Sequence, residues 1–174
     1  MTIDDALIEF ELALDAKLPV LVAEIQRVIV DLPFDLADVP KSSVDAIHFE
    51  YDFPSFLPVA IPLNATTGYC APGELLSLLS QFETDLVPEG FRGEVLEEIA
   101  EQDQDEALNA LNDAMDEMYR DWFARCWQLA RAANPRIRGF LSIHDLTSRL
   151  DLDTGEELEE DTGPVVFFPR KPSK

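Results

Sequence analysis

From Ile3 to Leu32 apolar residues recur every three or four positions, first as Ile3, Leu7, Phe10 and Leu14, then as Leu18, Leu21, Val22, Ile25, Val28, Ile29 and Leu32. That period predicts amphipathic helix. Thr2 fits an N-cap, with Asp4 and Asp5 in the first turn, where the helix dipole favours negative charge. Pro19 lacks the amide hydrogen that a helix interior uses, so the segment is read as two helices, the second with Pro19 in its first turn.

The helical period then stops. Six prolines fall between Pro33 and Pro72. Ala46 to Tyr51 alternates Ile47, Phe49 and Tyr51 with Ala46, His48 and Glu50, the period of a half-buried strand. Leu57 to Leu63 is a second strand, and Pro58 and Pro62, which cannot donate ladder hydrogen bonds, assign it to a sheet edge. Asn64 to Gly73 is turn-rich, and Glu74 to Phe82 reads as a helix starting near Pro72.

Phe91 to Ala133 reads as helix broken near Gln102 to Gln104. In its longer piece Leu108, Leu111, Met115, Met118, Trp122, Cys126 and Leu129 form one apolar stripe. Asn134-Pro135 marks the end. Arg138 to His144 and Ser148 to Leu152 alternate as strands, Thr154-Gly155 supplies a turn, and Glu156 to Thr162 is an acidic loop. Val165 to Phe168 can add a strand. Runs of helices and strands, rather than strict alternation, predict an α+β fold: N-terminal helices and a long helix packed on a small, mostly antiparallel sheet. Residues 1–168 are expected to form a single globular domain, with a frayed tail over 169–174.

Composition agrees with a folded chain, since 47% of its 174 residues are apolar and 28% charged. Charge changes the picture. Thirty-five acidic residues against thirteen basic ones give a net charge of −22, which disfavours nucleic acid and anionic membrane as partners. The chain opens Met1-Thr2-Ile3-Asp4-Asp5, without a basic stretch leading into an apolar run, and no apolar segment has the length of a membrane span. With only Cys70 and Cys126 available, reduced thiols in a cytoplasmic setting are expected.

The acidity is uneven. Glu94 to Asp121 holds eleven acidic residues and one basic residue, Arg120, whereas Trp122 to Gly139 holds Arg125, Arg131, Arg136 and Arg138 and no acid. This polarity complements the helix dipole, which explains its sign but not the density of carboxylates. Glu97, Glu101 and Asp105, like Asp113 and Glu117, are four apart, so like charges repel across helical turns. A solvated face, an adaptation to high salt and a docking surface for a basic partner each account for such an excess. Clustering favours docking.

Catalytic and metal signatures are sparse. His48 and His144 are the only histidines, and no Cys-x-x-Cys or His-x-x-x-His spacing joins them to Cys70 and Cys126 in a zinc site. Asp153-Thr154-Gly155 matches the aspartic-protease tripeptide but occurs once, and a strand running into a tight turn explains it. Asp151, Asp153 and Gly155 fail as a calcium loop because Thr162 stands where the terminal Glu belongs. There is no Gly-rich phosphate loop. Cys126 sits on the apolar stripe as an inert thiol; Cys70, before a helix start, is the better nucleophile. Tyr119, Trp122, Phe123 and Trp127 make an aromatic cluster whose plain role is core, with Phe123 or Trp127, off the main stripe, as the candidate anchor for a partner or second subunit.

The expectation is therefore a non-enzymatic, cofactor-free acidic module that binds a basic protein, of which a bacterial immunity protein inhibiting a toxin is the concrete form. The nominated contact residues are Glu97, Glu98, Glu101, Asp103, Asp105, Glu106, Asp113, Asp116 and Glu117, with Glu156 to Asp161 as a second acidic segment. The alternatives are a small enzyme with a carboxylate- or Cys70-based pocket and a structural adaptor whose acidity serves solubility. The sequence sets no oligomeric state.

Overall fold

A computed structural model describes residues 2–36, 39–53, 55–64, 68–69, 75–80, 94–95, 97, 99, 103–144 and 148–158. Helix α1 spans Ile3–Asp31 without interruption. Its start is the expected one. The Thr2 hydroxyl accepts from the Asp5 amide at 3.1 Å while the Asp5 carboxylate accepts from the Thr2 amide at 3.1 Å, a reciprocal capping box. The helix ends at Leu32, whose amide makes the last helical bond, to the Val28 carbonyl, before a left-handed φ of 43° turns the chain away. The predicted break at Pro19 does not occur. Pro19 is on the exposed face of α1, where water can solvate the carbonyl that its missing amide leaves unpaired.

A seven-stranded sheet follows. Strand β1 is Ala46–Tyr51, β2 Pro58–Asn64, β3 Gly68–Tyr69 and β4 Leu76–Ser77. Helix α2, Gln104–Ala130, then leads through a short 3-10 turn into β5, Arg138–Ile143, β6, Arg149–Asp151, and β7, Glu157–Leu158. The order is β3-β2-β1-β5-β6-β7, with β4 also on β2. Among the described residues every pairing is antiparallel except β1 with β5, which is parallel. Parallel neighbours need a long crossover, and the connection that contains α2 provides one.

Several expectations are corrected. β2 is not a free edge, because β3 and β4 pair with its outer side at either end. The prolines are nonetheless placed as their chemistry requires. The Leu63 carbonyl faces the β1 side, accepting from Asp45, and the Pro58 carbonyl faces outward, accepting from Leu78, so Pro58 and Pro62, of one parity, both turn their missing donors away from β1. Leu76–Ser77 is a strand, not part of a helix over 74–82. Glu157–Leu158 is a strand on β6 rather than loop. Of the shorter helical piece predicted after Phe91, Glu94 and Val95 are helical. Val165 to Phe168 and the tail lie outside the described residues.

Both helices cover one face of the sheet. Ile47, Phe49, Tyr51, Ala60 and Leu141 meet Phe10, Leu14, Leu21, Ile25, Val28 and Ile29 of α1 and Leu111, Met115, Tyr119, Trp122, Phe123, Cys126, Trp127 and Ala130 of α2 in one buried core. The helices run in the same sense, since Arg125 pairs with Asp15 and the Asn134 side chain donates to the Ile29 carbonyl at 2.8 Å. The predicted stripe of α2 is rotated. Tyr119, Phe123 and Trp127 are fully buried, whereas Leu129 is 53% exposed. A helix wedged between a sheet and a second helix buries a wider arc than one stripe. Phe123 and Trp127 are thus core, not partner anchors, and their rings lie 5.1 and 5.9 Å from that of Phe49.

Candidate functional site

The outward side of α2 carries the acidic excess. Core packing on the opposite side fixes its orientation, so Asp113, Glu117 and Asp121 emerge on successive turns and are exposed. Together with Asp116 and Arg120 they line a basin of about 430 Å³ whose other wall is Leu150, Gly155 and Glu157 of the β6–β7 hairpin. Asp116 is half-buried and accepts a 2.5 Å hydrogen bond from the Tyr51 hydroxyl. Burial, reinforced by that hydrogen bond and the Asp116 charge, pushes the Tyr51 phenol well up, so it stays protonated and donates. Arg120 pairs with Glu157. Burial opposes its charge, but the Glu157 carboxylate, with Asp116 beyond it, outweighs burial and raises its pKa. The one cation among the described residues that line the basin is therefore committed. No cation among the described residues pairs with Asp113, Glu117 or Asp121.

Of the nominated residues the structure brings Asp113, Asp116 and Glu117 together in this basin. Asp105 and Glu106 are exposed in the first turn of α2, where the helix dipole accounts for them. Asp103 is at the N-cap but makes no side-chain cap bond, and Glu97 is exposed in a turn. Glu98, Glu101 and Cys70 lie outside the described residues. Sequence reasoning did not nominate Asp121, although its spacing from Asp113 and Glu117 carries the signal. Glu157 was grouped with a loop, because a two-residue strand leaves no periodicity to read.

The Asp151 to Gly155 turn is structural. The Asp151 carboxylate accepts from the amides of Asp153 at 2.9 Å and Thr154 at 3.2 Å and pairs with Arg138 at 2.5 Å, while Gly155 takes a φ of 77°. Asp153 accepts from the Trp127 indole and the Gly139 amide, both at 3.1 Å, and pairs with Arg131 at 2.9 Å. A carboxylate so fully engaged is a strut, not half of a protease dyad.

On the sheet face away from the helices, His48 Nε2 is 2.8 Å from Ser142 Oγ, and Glu50 lies 3.6 Å from His48 Nδ1 and 3.4 Å from His144 Nδ1. The row has the order of a nucleophile, base and acid. Its chemistry is different, because burial, aided by the Arg149 charge, pushes the His48 imidazole from 6.5 down to about 3. Burial outweighs the neighbouring Glu50 carboxylate, and so weak a base activates a serine poorly near neutral pH.

This row sets a pH dependence. As pH falls from 6.5 towards 3, the unfolded chain binds a proton that folded His48 refuses, so stability drops by about 1.4 kcal/mol per pH unit from this group. Above 6.5 the contribution is complete. His48→Gln is expected to flatten the urea midpoint against pH over that window relative to the wild type; superimposable profiles would show that His48 does not fold as a buried neutral ring.

Cys126 is buried, and its thiol is pushed up to about 12, chiefly by burial, which makes it unreactive. Among the described residues no three or more His, Cys, Asp or Glu side chains are grouped to hold a metal ion, and no helix is long and apolar enough to cross a membrane. Comparison with models of protein families, with curated proteins and with solved structures returns no match to this chain.

Proposed function

We propose that this chain is a non-enzymatic, cytoplasmic protein-binding module whose acidic α2 face engages a basic partner, and that it works as an immunity or antitoxin-type inhibitor of a bacterial toxin. One observation carries the reading. Asp113, Glu117 and Asp121 are exposed on a helix whose other side is locked in the core, and Arg120, which lines the same basin, is already taken by Glu157. Fixed, unneutralised carboxylates steer a basic partner and lose little entropy on contact. A protein that acts on nucleic acid or nucleotides presents cations to phosphates, and a row of carboxylates answers the same cations.

Glu117→Lys separates binding from folding. It replaces the Asp113–Glu117 repulsion by an attractive pair in the favourable orientation, so the helix should gain about 0.5 kcal/mol. Binding should move the other way. With wild-type and Asp113→Lys/Glu117→Lys proteins as baits in lysate of the source organism, a basic protein is expected on the wild type at low salt, released by added salt, and at least tenfold depleted on the double variant. Equal retention on both baits would remove the α2 face from the account.

A further inference from the structure

We propose that the groove between α1 and α2 seats the apolar stripe of a basic amphipathic helix from the partner, an inference that rests on reading the α2 face as protein-binding and specifies what binds there. The groove has a volume of about 280 Å³. Its floor is Leu14, Met118 and Trp122, and its rim carries Glu11, Asp15, Asp121 and Arg125. Arg125 is paired across the groove with Asp15. No cation among the described residues pairs with Glu11 or Asp121, so the rim is net negative. The floor also holds one unmet polar group, the Trp122 indole N–H, buried without an acceptor.

The groove does not end at its rim. Ile8 shares a helical face with Glu11 and Asp15 and is 56% exposed; Leu129 continues the Met118, Trp122, Arg125 row and is 53% exposed. Because Asp15 and Arg125 face each other, Ile8 lies two turns to one side of that pair and Leu129 one turn to the other. At 1.5 Å per residue the span between them, crossed by the Asp15–Arg125 pair, is about 16 Å, three helical turns. That length suits a helix with anchors at three- and four-residue spacing laid into the groove. Tryptophan and arginine at its centre are the residue types that dominate binding energy in such contacts.

Charge selects the occupant. A second copy of this chain, also at −22, would set acid against acid, whereas lysines flanking an apolar stripe would meet Glu11 and Asp121. Asp121 borders both the groove and the basin. A helix seated in the groove therefore carries its basic flank over the same α2 ridge that bears Glu117.

The test uses a synthetic Leu/Lys peptide with its leucines in one helical stripe, an isomer of identical composition with the stripe scrambled, and amide and indole NMR shifts of the full chain at low salt. The striped peptide is expected to bind at least tenfold more tightly and to move Trp122, Met118 and Arg125. Ile8→Gln/Leu129→Gln, at two exposed positions, should weaken it about tenfold while leaving the scrambled peptide and the melting curve unchanged. If both peptides bind equally and move only the Asp113 and Glu117 region, the groove proposal fails and the acidic-face reading stands. If neither binds, both fail.

Discussion

Asp153→Ala is expected to lower the unfolding free energy by about 3 to 5 kcal/mol. The carboxylate serves the Trp127 indole and the Gly139 amide at once, and neither donor can turn to water, because Trp127 is fully buried and Gly139 lies within the sheet beneath it. Each stranded donor costs about 1 to 3 kcal/mol. Arg131, 31% exposed, loses its partner more cheaply because solvent reaches it. Asp153→Asn keeps an acceptor oxygen and nearly the same shape, so it should lose about half as much. Guanidinium unfolding of the three proteins gives the ranking. An alanine variant within 1 kcal/mol of wild type, about the worth of one ordinary hydrogen bond, would mean that the turn does not hold the indole.

Gly139→Ala is expected to cost about 3 kcal/mol, the upper part of the range for an overpacked core. A Cβ at this position would stand 2.6 Å from Trp127 Cε2 and 2.7 Å from Cζ2. The ring has little room to retreat, since its nitrogen is tied to Asp153 and its edge meets Phe49. The glycine is there for close approach, not for an unusual backbone angle. In a Trp127→Phe background the added methyl has space, and its cost should fall below about 1 kcal/mol; the double-mutant cycle measures the coupling between the two positions. Purely additive effects would contradict the contact. The two predictions concern one assembly, so Asp153→Ala, which unties the ring, should also soften the penalty of Gly139→Ala.

The elements that were legible in the sequence are those whose residue types repeat at the period of a strand or a helix, although β1 and β5 turn out to be buried on both faces. Alternation in 46–51 and 138–143 and the three-four spacing of α2 located β1, β5 and that helix, and Thr2 with Asp5 located the start of α1. Pro19 misled because its local rule assumes that the vacated carbonyl is unsatisfied, and exposure, which only tertiary structure fixes, decides that. Glu74 to Phe82 has helical composition, yet Leu76 and Ser77 are drawn into pairing with β2, a long-range event. The same limit applies to the candidate site. Asp113, Asp116 and Glu117 were visible as an acidic run, but the engagement of Arg120 by Glu157 and the groove opposite α1 arise only when segments far apart in the chain meet.

The single parallel pairing has a consequence for how the molecule is assembled. His48 and Ser142 touch although they are 94 residues apart in sequence, and the whole β1–β5 seam, from Ala46 opposite Arg138 to Tyr51 opposite Ile143, closes over a nearly equal span. β1 and β2 can form their hairpin early, but the inner edge of β1 stays unpaired until α2 has been made and β5 has followed it. Closure of so large a loop makes the seam a late and slow event in folding. During that interval β1 presents an open, apolar strand edge, the kind of surface on which chains associate wrongly. The charge of −22, borne by every emerging chain, then opposes encounter between unfinished copies before any partner is met.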